Sequence, residues 1–273
     1  MIEQRLVGKS VVAVMVAVLA ALFLRSWFQV SLLRVGSTAW FASDLSYLIV
    51  PPILALLLLP LWRPESGFLE NQFRPVDLTR RLILHAITIG FLLRLLWWSQ
   101  LVAGVALGVY GSPVSSELLG PTFSFRCPNP DKLALGFLVT VLLTPLIEEL
   151  VHRAVILSYL RPRGPLVAIL VSATTFAALH NTTSGAFAFF AGLVFAYVYW
   201  STRSLWSCLV AHGTFNALAL LDWRCLTVQW NPGTDATPVM TPSVTAIALI
   251  VASTVALAAL LHRISTVSSP PSP

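Results

Sequence analysis

Apolar runs of about the length that crosses a bilayer alternate with short polar segments from one end of the chain to the other. Crossing hydrocarbon as a helix takes roughly 20 mostly apolar residues. By that measure the pattern predicts eight helices, at residues 11–27, 47–62, 82–109, 133–160, 165–180, 186–200, 205–221 and 244–261. The Pro51-Pro52 pair near the start of the second run is expected to end or kink that helix. The third run is long enough to tilt and carries His85, Arg94 and Gln100. Pro145 is expected to bend the fourth run one turn before Glu148. The segment 265–273 is rich in Ser and Pro and reads as disordered. No internal repeat is visible.

Composition sharpens this picture. Of the 273 residues, 57% are hydrophobic and only 10% charged, against about 25% charged in a soluble domain. The fold class is therefore all-α and polytopic, with about eight transmembrane helices. The net charge of +6 gives no footprint for nucleic acid, because the basic residues sit between apolar runs instead of forming a patch. Their distribution sets an orientation. With the N-terminus cytoplasmic, 10 of the 17 Lys and Arg fall on the inside and 5 outside, and Arg94 and Arg153 lie within spans. Both termini are then cytoplasmic, and a bacterial inner membrane is the expected location. The start of the chain has the basic lead of a signal peptide, but Arg25-Ser-Trp-Phe follows the first run in place of a small-residue cleavage site, so it is expected to remain as a span. Cys208 reads as a small apolar filler. Cys127 and Cys225 fall in outside loops, where they either pair or are unrelated thiols.

The charge that matters is the charge inside the apolar runs. Ionisable residues in hydrocarbon are costly and point to function. In Thr144-Pro-Leu-Ile-Glu-Glu-Leu-Val-His-Arg153, Glu149 and Arg153 are four apart, with the glutamate first, the favourable order for an ion pair along a helix. Glu148 lies about 100° round the same helix and cannot use that arginine in the same way. One carboxylate is thus neutralised and its neighbour left for chemistry. His180 ends the fifth run, and His212 and Asn216, again four apart, share a face of the seventh. A carboxylate near a histidine can orient and deprotonate a water. A histidine and an amide can donate to the oxyanion formed on a carbonyl. Water-mediated acyl hydrolysis fits these groups, and no Gly-x-Ser-x-Gly is present to supply a serine nucleophile. A zinc site made of Glu148, His180 and His212 remains open at this level, since three such ligands plus water form a catalytic zinc arrangement.

Glu148-Glu149-x-x-x-Arg153, Phe176-x-x-x-His180 and His212-x-x-x-Asn216, in this order, resemble the CAAX-protease and bacteriocin-processing group of intramembrane proteases, also called the Abi or type II CAAX prenyl endopeptidase-like family. The resemblance spans about residues 133 to 221 and divides the chain into an unassigned N-terminal region of about three spans (1–132), a catalytic core (133–221) and a segment with a loop, the last span and the Ser/Pro tail (222–273). It implies that Glu148 activates water with His180 assisting, that His212 and Asn216 stabilise the oxyanion, and that Glu149 and Arg153 brace the site. It implies no cofactor, because the family, once labelled metalloprotease, is better read as glutamate-dependent. Members often carry an aromatic residue then Arg-Gly after the Glu pair, where this chain has His152-Arg153-Ala154. His152 either faces Glu148 or is a tolerated substitution near the helix end, and the second is the expectation.

The function expected is an intramembrane endopeptidase acting on a membrane-associated peptide or protein tail, as in maturation of an exported protein or peptide. A site nearer the outer half of the membrane, beneath a polar turn at 180–185, favours an exported substrate over a cytoplasmic prenylated one. The alternative is a non-catalytic membrane peptide-binding or immunity protein. A proton-coupled transporter would also bury Glu, His and Arg, but would show broken helices repeated in two halves.

Overall fold

The computed structural model describes residues 10–58, 72–73, 79–106, 125–126, 130–180, 182–220, 235–236 and 243–268. Nine helical elements follow one another among them: α1 (Ser10–Arg34), α2 (Ala39–Tyr47), α3 (Val50–Leu58), α4 (Arg80–Ala106), α5 (residues 130–160), α6 (Pro165–Ala178), α7 (Thr182–Thr202), α8 (Leu205–Leu220) and α9 (Ser243–Ser268). A two-residue antiparallel ladder pairs Phe125–Arg126 with Asp235–Ala236. Five helices are long and apolar enough to cross a membrane, in α1, α4, α5, α7 and α9, and three shorter apolar helices accompany them at Phe41–Leu54, Pro165–Ala178 and Leu205–Leu220. Among the described residues the eight apolar runs correspond to five long helices and three short ones, α3, α6 and α8, and α2 lies ahead of the second run.

The outside of the bundle is as apolar as its inside. α1 exposes Val12, Val16, Leu19, Phe23, Trp27 and Val30 along one stripe while burying Val14, Ala17, Val18 and Ala21 on the other. Water would penalise such a surface; lipid does not. α7 is the most enclosed of the long helices. It packs along α6, and α4 packs along both α8 and α9. Close approach of α4 to α8 needs Gly90, where an added Cβ would lie 2.3 Å from the Ala211 carbonyl oxygen.

Several boundaries differ from the sequence reading. The first helix does not end at residue 27 but runs on to Arg34, stopping before Gly36 at φ +89°. Arg25 is accommodated inside it because its guanidinium lies 3.7 Å over the Tyr47 ring. The second run, expected from residue 47, becomes helical at Val50, after a break at residues 48–49 that separates it from the unexpected α2, and Pro51-Pro52 sit in the first turn of α3, where a missing N–H costs nothing. The last helix extends to Ser268, so residues 265–268 of the Ser/Pro segment are helical. α7 starts at Thr182, which shortens the expected 180–185 turn. Cys127 and Cys225 lie outside the described residues, and Cys208 is buried, with its Sγ 3.3 Å from the Phe195 carbonyl oxygen.

α5 is one continuous helix with two wide turns, a π stretch at Phe137–Leu143 and another at Leu150–Leu157, flanking the α-helical Thr144–Glu149. Pro145 explains the first. It has no N–H to give to the preceding turn, so carbonyls around Thr140 and Val141 are left to find other donors. α8 supplies the remedy. Asn216 Nδ2–H donates to the Thr140 carbonyl at 2.8 Å, and Gly213 lets the backbone come close, a Cβ there lying 3.1 Å from the Val141 oxygen. Re-satisfying freed backbone groups from a neighbouring helix is what permits a proline inside a span.

Candidate active site

The second wide turn of α5 carries Arg153 and follows directly on Glu148 and Glu149, and π turns inside α-helices recur at functional sites. Glu149 and Arg153 are fully buried. Arg153 Nε lies 3.1 Å from Glu149 Oε2, as the four-residue spacing predicts. On its other side Arg153 Nη2–H donates to the Gly192 carbonyl of α7 at 3.2 Å. Its plane lies 4.6 Å over the Phe176 ring and 5.5 Å from that of Phe195, so the cation is held by a carboxylate, a carbonyl and two aromatic faces.

His212 of α8 joins the two carboxylates. Its Nδ1 is 2.8 Å from Glu149 Oε1, and its Nε2 is 3.7 Å from Glu148 Oε2, beyond direct hydrogen-bond reach. Glu149 accepts at Nδ1, so that nitrogen carries the proton. The ring stacks on Phe195 at 5.0 Å and 19°, which fixes its plane. Glu149 is thereby shared between Arg153 and His212. Glu148, whose side chain is 20% exposed against 0% for Glu149, instead borders open space.

That space is a cleft of about 50 Å³, room for a few waters, lined on one side by Thr144, Ile147, Glu148, Val151 and His152 of α5 with Leu179. The facing wall is Val18, Leu22, Tyr47, Val50 and Leu54 of α1 to α3. The unassigned N-terminal region thus closes the site. Nothing in its sequence signalled this, because these residues are ordinary span residues.

Phe176 is the hub that gathers the histidines. Its ring lies 4.7 Å from His180, 5.3 Å from His152 and 5.8 Å from His212. His180 lies just past the end of α6 and folds its ring back so that Nδ1–H donates to the Phe176 carbonyl at 2.8 Å, one of the carbonyls a helix end leaves unpaired. Its Nε2 is then an acceptor. Asn216 sits one turn beyond His212 on α8, with one N–H on Thr140 and a second N–H left for a ligand.

His152 is not a substitution near a helix end. It is 1% exposed, in mid-helix, and its Nδ1–H donates to the Glu148 carbonyl at 2.8 Å. Among the described residues no three His, Cys, Asp or Glu side chains form a group able to hold a metal ion.

A family model described as type II CAAX prenyl endopeptidase Rce1-like matches residues 130–218, from the first turn of α5 to nearly the end of α8. Searches of curated proteins and of solved structures found no match.

Proposed function

We propose that the chain, whose residues 130–218 match a family model described as type II CAAX prenyl endopeptidase Rce1-like, is an intramembrane endopeptidase that hydrolyses a peptide bond by glutamate-activated water. The single observation that supports it most is the unequal treatment of two adjacent buried carboxylates. Glu149 is saturated by Arg153 and His212, while Glu148 borders the cleft with His212 Nε2 3.7 Å away.

In this reading a water in the cleft gives a proton to Glu148 as it attacks the substrate carbonyl. His180 Nε2 accepts the water's other hydrogen and orients it. The oxyanion of the tetrahedral intermediate receives His212 Nε2–H and the second Asn216 N–H. Because Glu149 holds the Nδ1 proton of His212, donation from Nε2 requires the imidazolium. Glu148, Glu149, Arg153 and imidazolium then sum to zero charge, the condition under which burying four charges is tolerable. Glu148 finally returns its proton to the leaving amine, so that water and peptide give one acid and one amine. The substrate is a membrane-associated peptide or protein tail, and no cofactor takes part.

The test is direct. Purified protein in lipid is incubated with an internally quenched peptide ending in a farnesylated CAAX tail and with unmodified transmembrane peptides, and products are read by mass spectrometry. A single cleavage site in at least one of them is the result expected. Tight binding with no cleavage of any of them would overturn the enzyme reading in favour of a peptide-binding or immunity protein.

A further inference from the structure

Among the residues that line the cleft, one holds a buried polar atom that neither the fold nor the hydrolytic scheme uses. His152 lines it beside Glu148, and with Nδ1–H bound to the Glu148 carbonyl, its Nε2 carries a lone pair. That nitrogen is buried and meets no hydrogen-bond partner. A buried acceptor left unpaired costs stability, and native structures seldom keep one without a reason. The ring alone is no reason. It packs edge-on against Phe176 at 83°, a contact that a phenylalanine would make as well without the cost.

Spacing suggests what the nitrogen is for. The cleft face of α5 presents Thr144, Glu148 and His152, one every four residues, or about 6 Å apart along a helix. An extended peptide presents main-chain groups on one side every two residues, about 6.6 Å apart. A peptide lying along α5 with its scissile carbonyl at Glu148 therefore brings its next same-side main-chain group to His152. Across the cleft Val18, Leu22, Val50 and Leu54 offer no side-chain donor, and Tyr47, the one polar residue of that wall, makes no hydrogen bond to this nitrogen, so the donor arrives with the occupant.

We propose that His152 is a substrate-binding residue of this cleft: its Nε2 accepts a hydrogen bond from a main-chain N–H of the bound peptide two residues from the bond addressed by Glu148. The proposal rests on the peptidase reading and adds to it a contact that fixes the register of the substrate.

The experiment is a chemical double-mutant cycle on a cleaved peptide. The farnesylated quenched peptide is compared with two analogues in which the amide two residues before or two residues after the scissile bond is an ester, which lacks the N–H. Each is assayed with wild type, H152F and H152N. The asparagine keeps a donor for the Glu148 carbonyl but has no atom at the Nε2 position, so it serves if the phenylalanine variant fails to fold. One ester is expected to lower wild-type kcat/KM about tenfold, mainly through KM. Both variants are expected to lose about tenfold on the parent peptide and to show no further loss with that ester. Ester penalties of the same size in wild type and H152N would overturn the proposal. Binding of the same peptides to E148Q and to E148Q/H152N, read by fluorescence anisotropy, separates the two readings. An ester penalty that vanishes with H152N while wild type cleaves nothing leaves the His152 contact standing and removes the hydrolysis. Failure of the parent peptide to bind E148Q at all would overturn the contact.

Discussion

Glu148 and Glu149 are adjacent in sequence yet face different surroundings because each step along a helix turns about 100°. The partner of Glu149 within its own helix, Arg153 at 3.1 Å, was legible from spacing alone. Its second partner, His212, was not, since it depends on which helix lies across the way. E149Q is expected to leave a buried arginine without its counter-charge and to cost about 3–5 kcal/mol, seen as a lower thermal midpoint in detergent together with lost activity. Asn216 carries a second lesson of this kind. The sequence pairs it with His212 on one face, but its side-chain amide donates to the Thr140 carbonyl, an acceptor exposed only because Pro145 cannot donate. N216A is expected to lower stability by about 1–3 kcal/mol, measured by thermal unfolding. An unchanged midpoint would mean that this bond does not hold α8 against α5.

At the scale of elements, hydrophobic pattern located every described helix but α2, because apolar run length is a property of the chain itself and α2 is broken up by Ser43, Asp44 and Ser46. It erred where a local feature overrode the run. Pro51-Pro52 start a helix instead of kinking one, and Arg25 stays helical under the cover of Tyr47. The two π stretches in α5 left no mark in the pattern, because a π turn and an α turn bury the same kinds of residue. Gly90 is likewise silent in sequence, a small residue in an apolar run, and yet it sets the approach of α4 to the helix that carries His212 and Asn216. G90A would force a Cβ to 2.3 Å from a backbone oxygen. It is expected to cost about 1–3 kcal/mol as overpacking and to lower activity by displacing α8, measured as thermal midpoint and kcat/KM together. Normal stability and activity in G90A would show that α4 has room to shift.

For the whole molecule, the charge at one end of the bundle bears on orientation. Arg161 and Arg203 both lie over Trp200, at 5.9 and 4.8 Å, and Arg163 over Tyr159 at 5.5 Å. Basic and aromatic residues gather in this way at a membrane interface, and the basic side favours the cytoplasm. With this end inside, a cysteine introduced at Thr183, at the opposite end of α7, is expected to react with an impermeant thiol reagent added to intact cells. A cysteine at Arg163 is expected to react only after the membrane is opened, and the reverse pattern would invert the orientation and favour a cytoplasmic substrate. The match at residues 130–218 covers one wall of the cleft. α1 to α3 supply the other, so the part of the chain with the least recognisable sequence shapes what can lie against Glu148. All of this turns on Glu148 being the base. The most direct measurement is kcat/KM of E148Q against wild type on one cleaved peptide, with thermal midpoints recorded side by side. The expected result is a fall of at least about 10²-fold with the midpoint preserved. Hydrolysis by E148Q at the wild-type rate would contradict the account.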